Sequence, residues 1–129
     1  MKVYVIPGNP IPLARARVHN RKFYDPQKSQ KLFSGITLDS QHDGSKLSGA
    51  LHLIVTFYMP IPKSSSKKVA SKLVGVHHKI KPDIDNMIKY VSDVCNGLFY
   101  HDDCIISRIT ASKVYDIIPR TEFSFEEIK

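Results

Sequence analysis

Between Gly49 and Met59, Leu51, Leu53, Val55 and Phe57 alternate with His52, Ile54, Thr56 and Tyr58. A period of two sends successive side chains to opposite faces, so this run reads as a strand. Both faces carry apolar residues, which predicts a strand in the middle of a sheet, with partners on both edges. Pro60-Ile61-Pro62 ends it. The partners are expected from short strands near residues 2–6, 104–115 and 121–126, the last two joined as a hairpin through Ile117–Arg120.

A second periodicity supplies cover for that sheet. Ile84, Met87, Ile88, Val91, Val94 and Cys95 recur three and four residues apart, the mark of one buried helix face. They predict a helix near 85–96, stopped by Asn96-Gly97. Asp25-Pro26 opens another near 27–39, with Pro26 suited to the first helical position. A short helix is expected around Val69–Leu73, while two prolines keep Ile11–Arg17 extended or irregular. The expected fold is α+β: one domain over residues 1–129, a mixed, largely antiparallel sheet with two main helices packed on it.

Composition narrows the classes. At 129 residues, 42% hydrophobic and 24% charged, the chain has the length and make-up of a soluble globular domain. No apolar run approaches the roughly 20 residues of a membrane-spanning helix. The apolar start is cut off at Pro7, too early for a signal peptide. Cys95 and Cys104 are too few for a disulfide framework. A cytoplasmic chain without a membrane partner is expected.

Nineteen Lys and Arg against twelve Asp and Glu leave a formal charge of +7, and its distribution says more than its total. Residues 1–31 hold Lys2, Arg15, Arg17, Arg21, Lys22, Lys28 and Lys31 against Asp25 alone, and residues 63–81 hold six lysines and no acid. Such segments suit a polyanion, nucleic acid before an anionic membrane. Between Asp83 and Asp103 the sign reverses: Asp83, Asp85, Asp93, Asp102 and Asp103 face Lys89 alone. Acids do not help to bind phosphate, so this island needs its own explanation.

Two explanations fit Lys81-Pro82-Asp83-Ile84-Asp85-Asn86-Met87-Ile88-Lys89. Taken singly, each aspartate has an ordinary job at a helix N-terminus, as a cap or a first-turn acid, worth about 0.3–1 kcal/mol. Asp85, Lys89 and Asp93, spaced by four, could likewise form a solvated ladder of ion pairs. The other explanation is a metal centre. Mg²⁺ takes one or two carboxylates plus water and substrate phosphate. Asp83 and Asp85 can share an ion only if Asp83 precedes the helix in extended geometry, which Pro82 permits. Asp102-Asp103 would add a carboxylate from another element, and Lys89, one turn beyond Asp85, could stabilise the phosphorane or protonate the leaving 3′ oxygen.

Lys81-Pro82-Asp83-Ile84-Asp85-Asn86, followed by Lys89, Asp93, Asn96-Gly97 and Asp102-Asp103, resembles the core motif of the RusA family of Holliday junction resolvases. These are small Mg²⁺-dependent endonucleases typical of phages and prophages. The resemblance is close over residues 81–103 and weaker in the proline- and arginine-bearing segment Ile11–Arg17. It implies metal-binding aspartates at Asp83, Asp85 and Asp103, with Asp102 as the alternative within the pair. It implies a catalytic lysine at Lys89, an auxiliary Asp93, Mg²⁺ that Mn²⁺ can replace, and a homodimer that incises four-way DNA symmetrically in recombination and repair. Arg15, Arg17, Arg21, Lys67, Lys68, Lys72 and Lys81 become candidate phosphate contacts, each with a solvated surface position as its plain alternative. A basic DNA-binding module without catalysis, or a metal-dependent nuclease acting on other branched DNA, are the competing functions.

His77, His78, His101 and the two cysteines match no zinc spacing, and Cys95 belongs to the apolar helix face. Phe23-Tyr24, Phe57-Tyr58 and Phe99-Tyr100 could offer rings to unstacked bases, but each pair is expected to bury one ring and expose the other. Tyr100, beside the acidic pair, is the one to test as a base contact.

Overall fold

A computed structural model describes residues 2–129. Strand β1 (Tyr4–Pro7) is followed by β2 (Arg17–His19), β3 (Lys22–Tyr24) and helix α1 (Lys28–Asp39). Then come β4 (Leu51–Pro60), α2 (Lys67–Leu73), α3 (Ile84–Cys95), a 3-10 turn at Asp103–Ile105, β5 (Ile106–Asp116) and β6 (Arg120–Glu127). The main sheet runs β1-β6-β4-β5, with β4 parallel to β5 and antiparallel to β6, and β1 antiparallel to β6. This is the mixed, mostly antiparallel α+β architecture that the periodicities predict. Of the three helices, the short α2 buries no residue. No helix among the described residues is long and apolar enough to cross a membrane.

The alternation in β4 sorts its side chains cleanly. Leu51, Leu53, Val55, Phe57 and Met59 are buried, and the intervening residues are half-buried. The buried face joins Met87, Tyr90, Val91, Val94 and Cys95 of α3, Leu38 of α1, and Phe99, Tyr100 and Phe123 in one core. Tyr90, absent from the predicted apolar set, is buried with its hydroxyl 3.0 Å from Ser34 Oγ of α1. Met87 is fully buried in the same core. Met87→Ala should therefore cost about 2–5 kcal/mol by lost transfer energy and a cavity, read by urea denaturation.

One topological expectation fails. β5 and β6 do not form a hairpin, because β4 lies between them. The helical crossover from β4 through α3 returns the chain parallel to β4, and Ile117–Pro119 then carries it over the end of β4 to the opposite edge. A long apolar strand needs backbone partners on both edges, and this route provides them. Arg120 clamps the crossing. Its guanidinium donates to Asp116 at 2.6 Å and to the Ile118 carbonyl at 2.9 Å, and lies 3.8 Å from the ring centroid of Tyr58 on β4.

Two further differences concern the N-terminal third. Pro26 lies ahead of α1 instead of in its first turn, and Gln27 occupies the N-cap position. Gln27 is buried because its amide bridges the preceding segment, donating to the Pro12 carbonyl and accepting from Ala14 N–H, both at 2.8 Å. Arg17–Tyr24 forms a hairpin, β2–β3, that no strong sequence signal marks. Asn20 and Arg21 both adopt positive φ, 51° and 64°, as a two-residue hairpin turn requires. Without a glycine there, the turn is hard to read.

Candidate active site

Helix α3 carries most of the acidic island. Asp83 precedes it with φ −70° and ψ 138°, extended as the metal-centre reading needs. Its carboxylate makes no capping hydrogen bond and instead accepts from Lys81 Nζ at 3.0 and 3.2 Å. Both partners are exposed, so the pair adds little stability. Asp85 lies exposed in the first turn and Lys89 one turn on, also exposed. The ladder Asp85–Lys89–Asp93 does not form. Asp93 pairs with Lys31 of α1 at 2.8 Å, and Lys31 also holds Asp25 at 2.6 Å. That bond, together with the Gln27 backbone N–H, keeps the Asp25 carboxyl below its ordinary value.

Two clefts meet at Asp85. One, of about 450 Å³, is lined by Asp85, Lys89, Asp93 and Asp103, with Leu13, Ile88, Ser92 and Ile109 as its apolar and hydroxyl walls. The other, of about 870 Å³, takes Asp83 and Asp85 together with the segment His77–Lys81 and residues Ala111–Lys113 of β5. A smaller hollow joins Arg15 to Asn86 and Lys89. Thus Asp85, Lys89 and Asp103 line one cleft, and Asp83 lines the neighbouring one, which shares Asp85 with it. Asp102 lines neither cleft. Among the described residues no three Asp, Glu, His or Cys side chains converge closely enough to hold an ion by themselves.

The electrostatics match a carboxylate-rich pocket. The Asp103 carboxyl is pushed above its ordinary value, first by burial, then by hydrogen bonding and repulsion from Asp102 and by the charge of Asp93, with Asn96 opposing. A cation would relieve that repulsion, and hard carboxylate oxygens are what Mg²⁺ prefers. The donor set therefore fits the metal in chemistry.

Residues 7–126 match the family model described as Endodeoxyribonuclease RusA. The chain belongs to the RusA family. A protein of Bacillus subtilis (strain 168), described as "Uncharacterized protein YqaN", is 30% identical over 135 residues, spanning 97% of this chain and 95% of the relative. Membership of the RusA family places the chain among endodeoxyribonucleases, hydrolases of DNA phosphodiesters.

Within this RusA-family site, Lys113 is the side chain that sequence reasoning misses. From β5 it reaches under the loop before α3 and donates to the Ile80 carbonyl at 2.6 Å and the Pro82 carbonyl at 2.7 Å. The same loop is held to β5 by His78 N–H, which donates to the Lys113 carbonyl at 2.8 Å. Burial, and then the nearby Lys113 charge, hold the His78 imidazole below its ordinary value. Lys113 thus fixes the path that leads into Asp83, a positioning residue with no motif to announce it. Lys113→Met should lower kcat for DNA hydrolysis about 10- to 100-fold, with the affinity for DNA unchanged.

The predicted DNA contacts divide into groups. Arg15 borders the site beside Lys89, and Lys81 pairs with Asp83. Arg17 and Arg21 lie exposed on the hairpin, and Lys67, Lys68 and Lys72 lie exposed on α2, lining neither cleft. Of the aromatic pairs, Phe57-Tyr58 buries one ring and half-buries the other, but Phe99 and Tyr100 are both buried. The Tyr100 hydroxyl donates to the Ser92 carbonyl at 2.9 Å. Tyr100 is a core residue and cannot meet a base. Phe23 and Tyr24 are both exposed.

Proposed function

We propose that this chain is a Mg²⁺-dependent resolvase that nicks four-way DNA junctions in recombination and repair. The observation that carries it is one cleft bordered by Asp85, Lys89 and Asp103, with Asp83 at the adjoining helix entry, in an otherwise basic chain. Asp83 and Asp85 would hold the metal from α3, and Asp103 would complete the set from the 3-10 turn. Bound there, Mg²⁺ or Mn²⁺ supplies Lewis-acid polarisation of a phosphoryl oxygen and a more acidic water.

The chain's own groups do the rest. Lys89, on the same side of α3 as Asp85, offsets negative charge that grows on the phosphorane oxygens and hands a proton to the departing oxygen. Water adds to phosphorus and gives up a proton to solvent, and the P–O3′ bond breaks as O3′ takes the Lys89 proton. The products are a 5′-phosphate and a 3′-hydroxyl, and Lys89 then regains a proton from solvent. Arg15, Arg17, Arg21, Lys67, Lys68, Lys72 and Lys81 hold phosphates without reading sequence.

Symmetric nicking calls for two sites related by a twofold axis, hence a homodimer. Leu32, Phe33 and Ile36 of α1, 63–65% exposed, support this by forming an apolar patch of the kind that a second copy covers. The test incubates purified protein with a synthetic four-way junction, a flap and a linear duplex, in Mg²⁺ or EDTA, with mass from sedimentation. Paired nicks on the junction alone, from a dimer, are expected. Nicking of flaps would redirect the substrate class, and binding without nicking would leave a non-catalytic module.

A further inference from the structure

Every residue from Arg15 to Asp25 is exposed, and Phe23 is the most exposed of the chain's large apolar residues that the structure describes, at 81%. Residues opposite one another in a two-stranded ribbon share a face. Val18 opposes Phe23, so one face of the β2–β3 hairpin is apolar. Arg17 opposes Tyr24 and His19 opposes Lys22, so the other face is cationic with one ring. Between Leu13 and Tyr24 there are four bases and no acid: Arg15, Arg17, Arg21 and Lys22.

Both roots of the hairpin are tied to the candidate site. On the way in, Leu13 N–H donates to the Asn86 carbonyl of α3 at 2.9 Å, and Gln27 bridges Pro12 and Ala14. On the way out, Asp25 binds Lys31, which binds Asp93 of α3. The arm is anchored beside the Asp85–Lys89 cleft and free at its tip. A large ring held in water by a fixed base is poorly explained by folding, because it buries nothing.

A second copy of the chain is a poor occupant. A twofold contact through the arm would bring two like-charged clusters of Arg17, Arg21 and Lys22 together. An intact duplex is also a poor match for Phe23, since its bases are stacked away. A polyanion with accessible base faces satisfies both sides of the hairpin. We propose that the arm places Phe23 against unstacked bases at the branch point of a DNA junction while Arg17, Arg21 and Lys22 hold the adjoining phosphates. This rests on the chain being a junction nuclease, and adds how it selects the branch.

The test uses the full-length chain, a synthetic four-way junction with 2-aminopurine beside the branch point, and a linear duplex of equal length, titrated in EDTA. The wild type should change the 2-aminopurine fluorescence. Phe23→Ala should abolish that change and weaken junction binding about tenfold, the scale of one lost base–aromatic stack. Duplex binding, its salt dependence and the melting temperature should stay as in the wild type, and Phe23→Tyr should restore the signal. Arg21→Ala should instead lower the slope of log K against log salt by about one on both DNAs.

Equal loss on junction and duplex, or no loss on either, overturns the proposal, as does a Phe23→Ala protein whose mass halves in sedimentation, which would make the arm a contact between copies. Nicking with Mg²⁺ separates the two levels. If the wild type and Phe23→Ala nick and bind the junction equally well, only the arm's role falls. If the wild type neither prefers nor nicks the junction, the nuclease reading falls and the arm's role with it.

Discussion

Asp85→Asn should lower Mg²⁺-dependent nicking by about a thousand-fold, corresponding to about 4 kcal/mol of transition-state stabilisation. Asp85 borders both clefts, so it is the carboxylate through which the α3 entry and the Asp103 wall communicate. Asparagine keeps the shape and removes the charge. Junction affinity in EDTA should be unchanged or tighter, because one negative charge no longer repels phosphate. The fold should hold as well, since the Asp85 side chain is exposed and makes no ion pair among the described residues. Single-turnover nicking and a binding titration read the two halves separately. If affinity, activity and melting temperature fell together, Asp85 would be a structural first-turn acid.

Lys89→Ala should cost about 10²–10⁴-fold in the nicking rate with little change in junction affinity. Two roles overlap in that number, charge compensation and proton donation, and a substrate with sulfur at the bridging 3′ position separates them. A thiolate leaves without needing a proton. If Lys89 is the proton donor, the variant should approach the wild-type rate on that substrate. A loss that persists there would assign Lys89 to charge compensation alone. Lys89→Arg, which keeps the charge but gives up its proton far less readily, should fail on the oxygen substrate and work on the sulfur one.

Much of this architecture is legible in the sequence. The two-residue period of β4 and the three-to-four period of α3 each locate their element within two residues, because burial on one face forces the pattern. Pro82 keeps Lys81 out of helical geometry and permits the extended approach to Asp83 in the same local way. The rest depends on neighbours distant in the chain. Ile117–Pro119 has the length of a hairpin loop, but β4's demand for partners on both edges overrides that local reading. Tyr100 and Phe23 are both aromatic, next to charged residues, and equally plausible base contacts by composition. Only the burial of Tyr100 against Phe125, and the exposure of Phe23, reverses their order. Lys113 is invisible for the same reason, since its acceptors are carbonyls about thirty residues away, and every residue type has a carbonyl.

The passage of Ile117–Pro119 over the end of β4 also bears on how the chain is made. Both strands that flank β4 are synthesised after it, and β1 too finds its partner in β6. During translation the most apolar strand therefore waits with both edges open until β5 emerges, and with one open until Glu127 can lie opposite Leu51. Nothing upstream can close the sheet early, so folding is governed by long-range pairing and is slow for a chain of this length. In the interval β4 is the segment most exposed to pairing with other nascent chains. The proposed nuclease centre forms late by the same logic. Asp103 and the Lys113 strut flank or lie on β5, and they meet α3 only once β5 has docked. Its catalytic competence is thus tied to completion of the sheet.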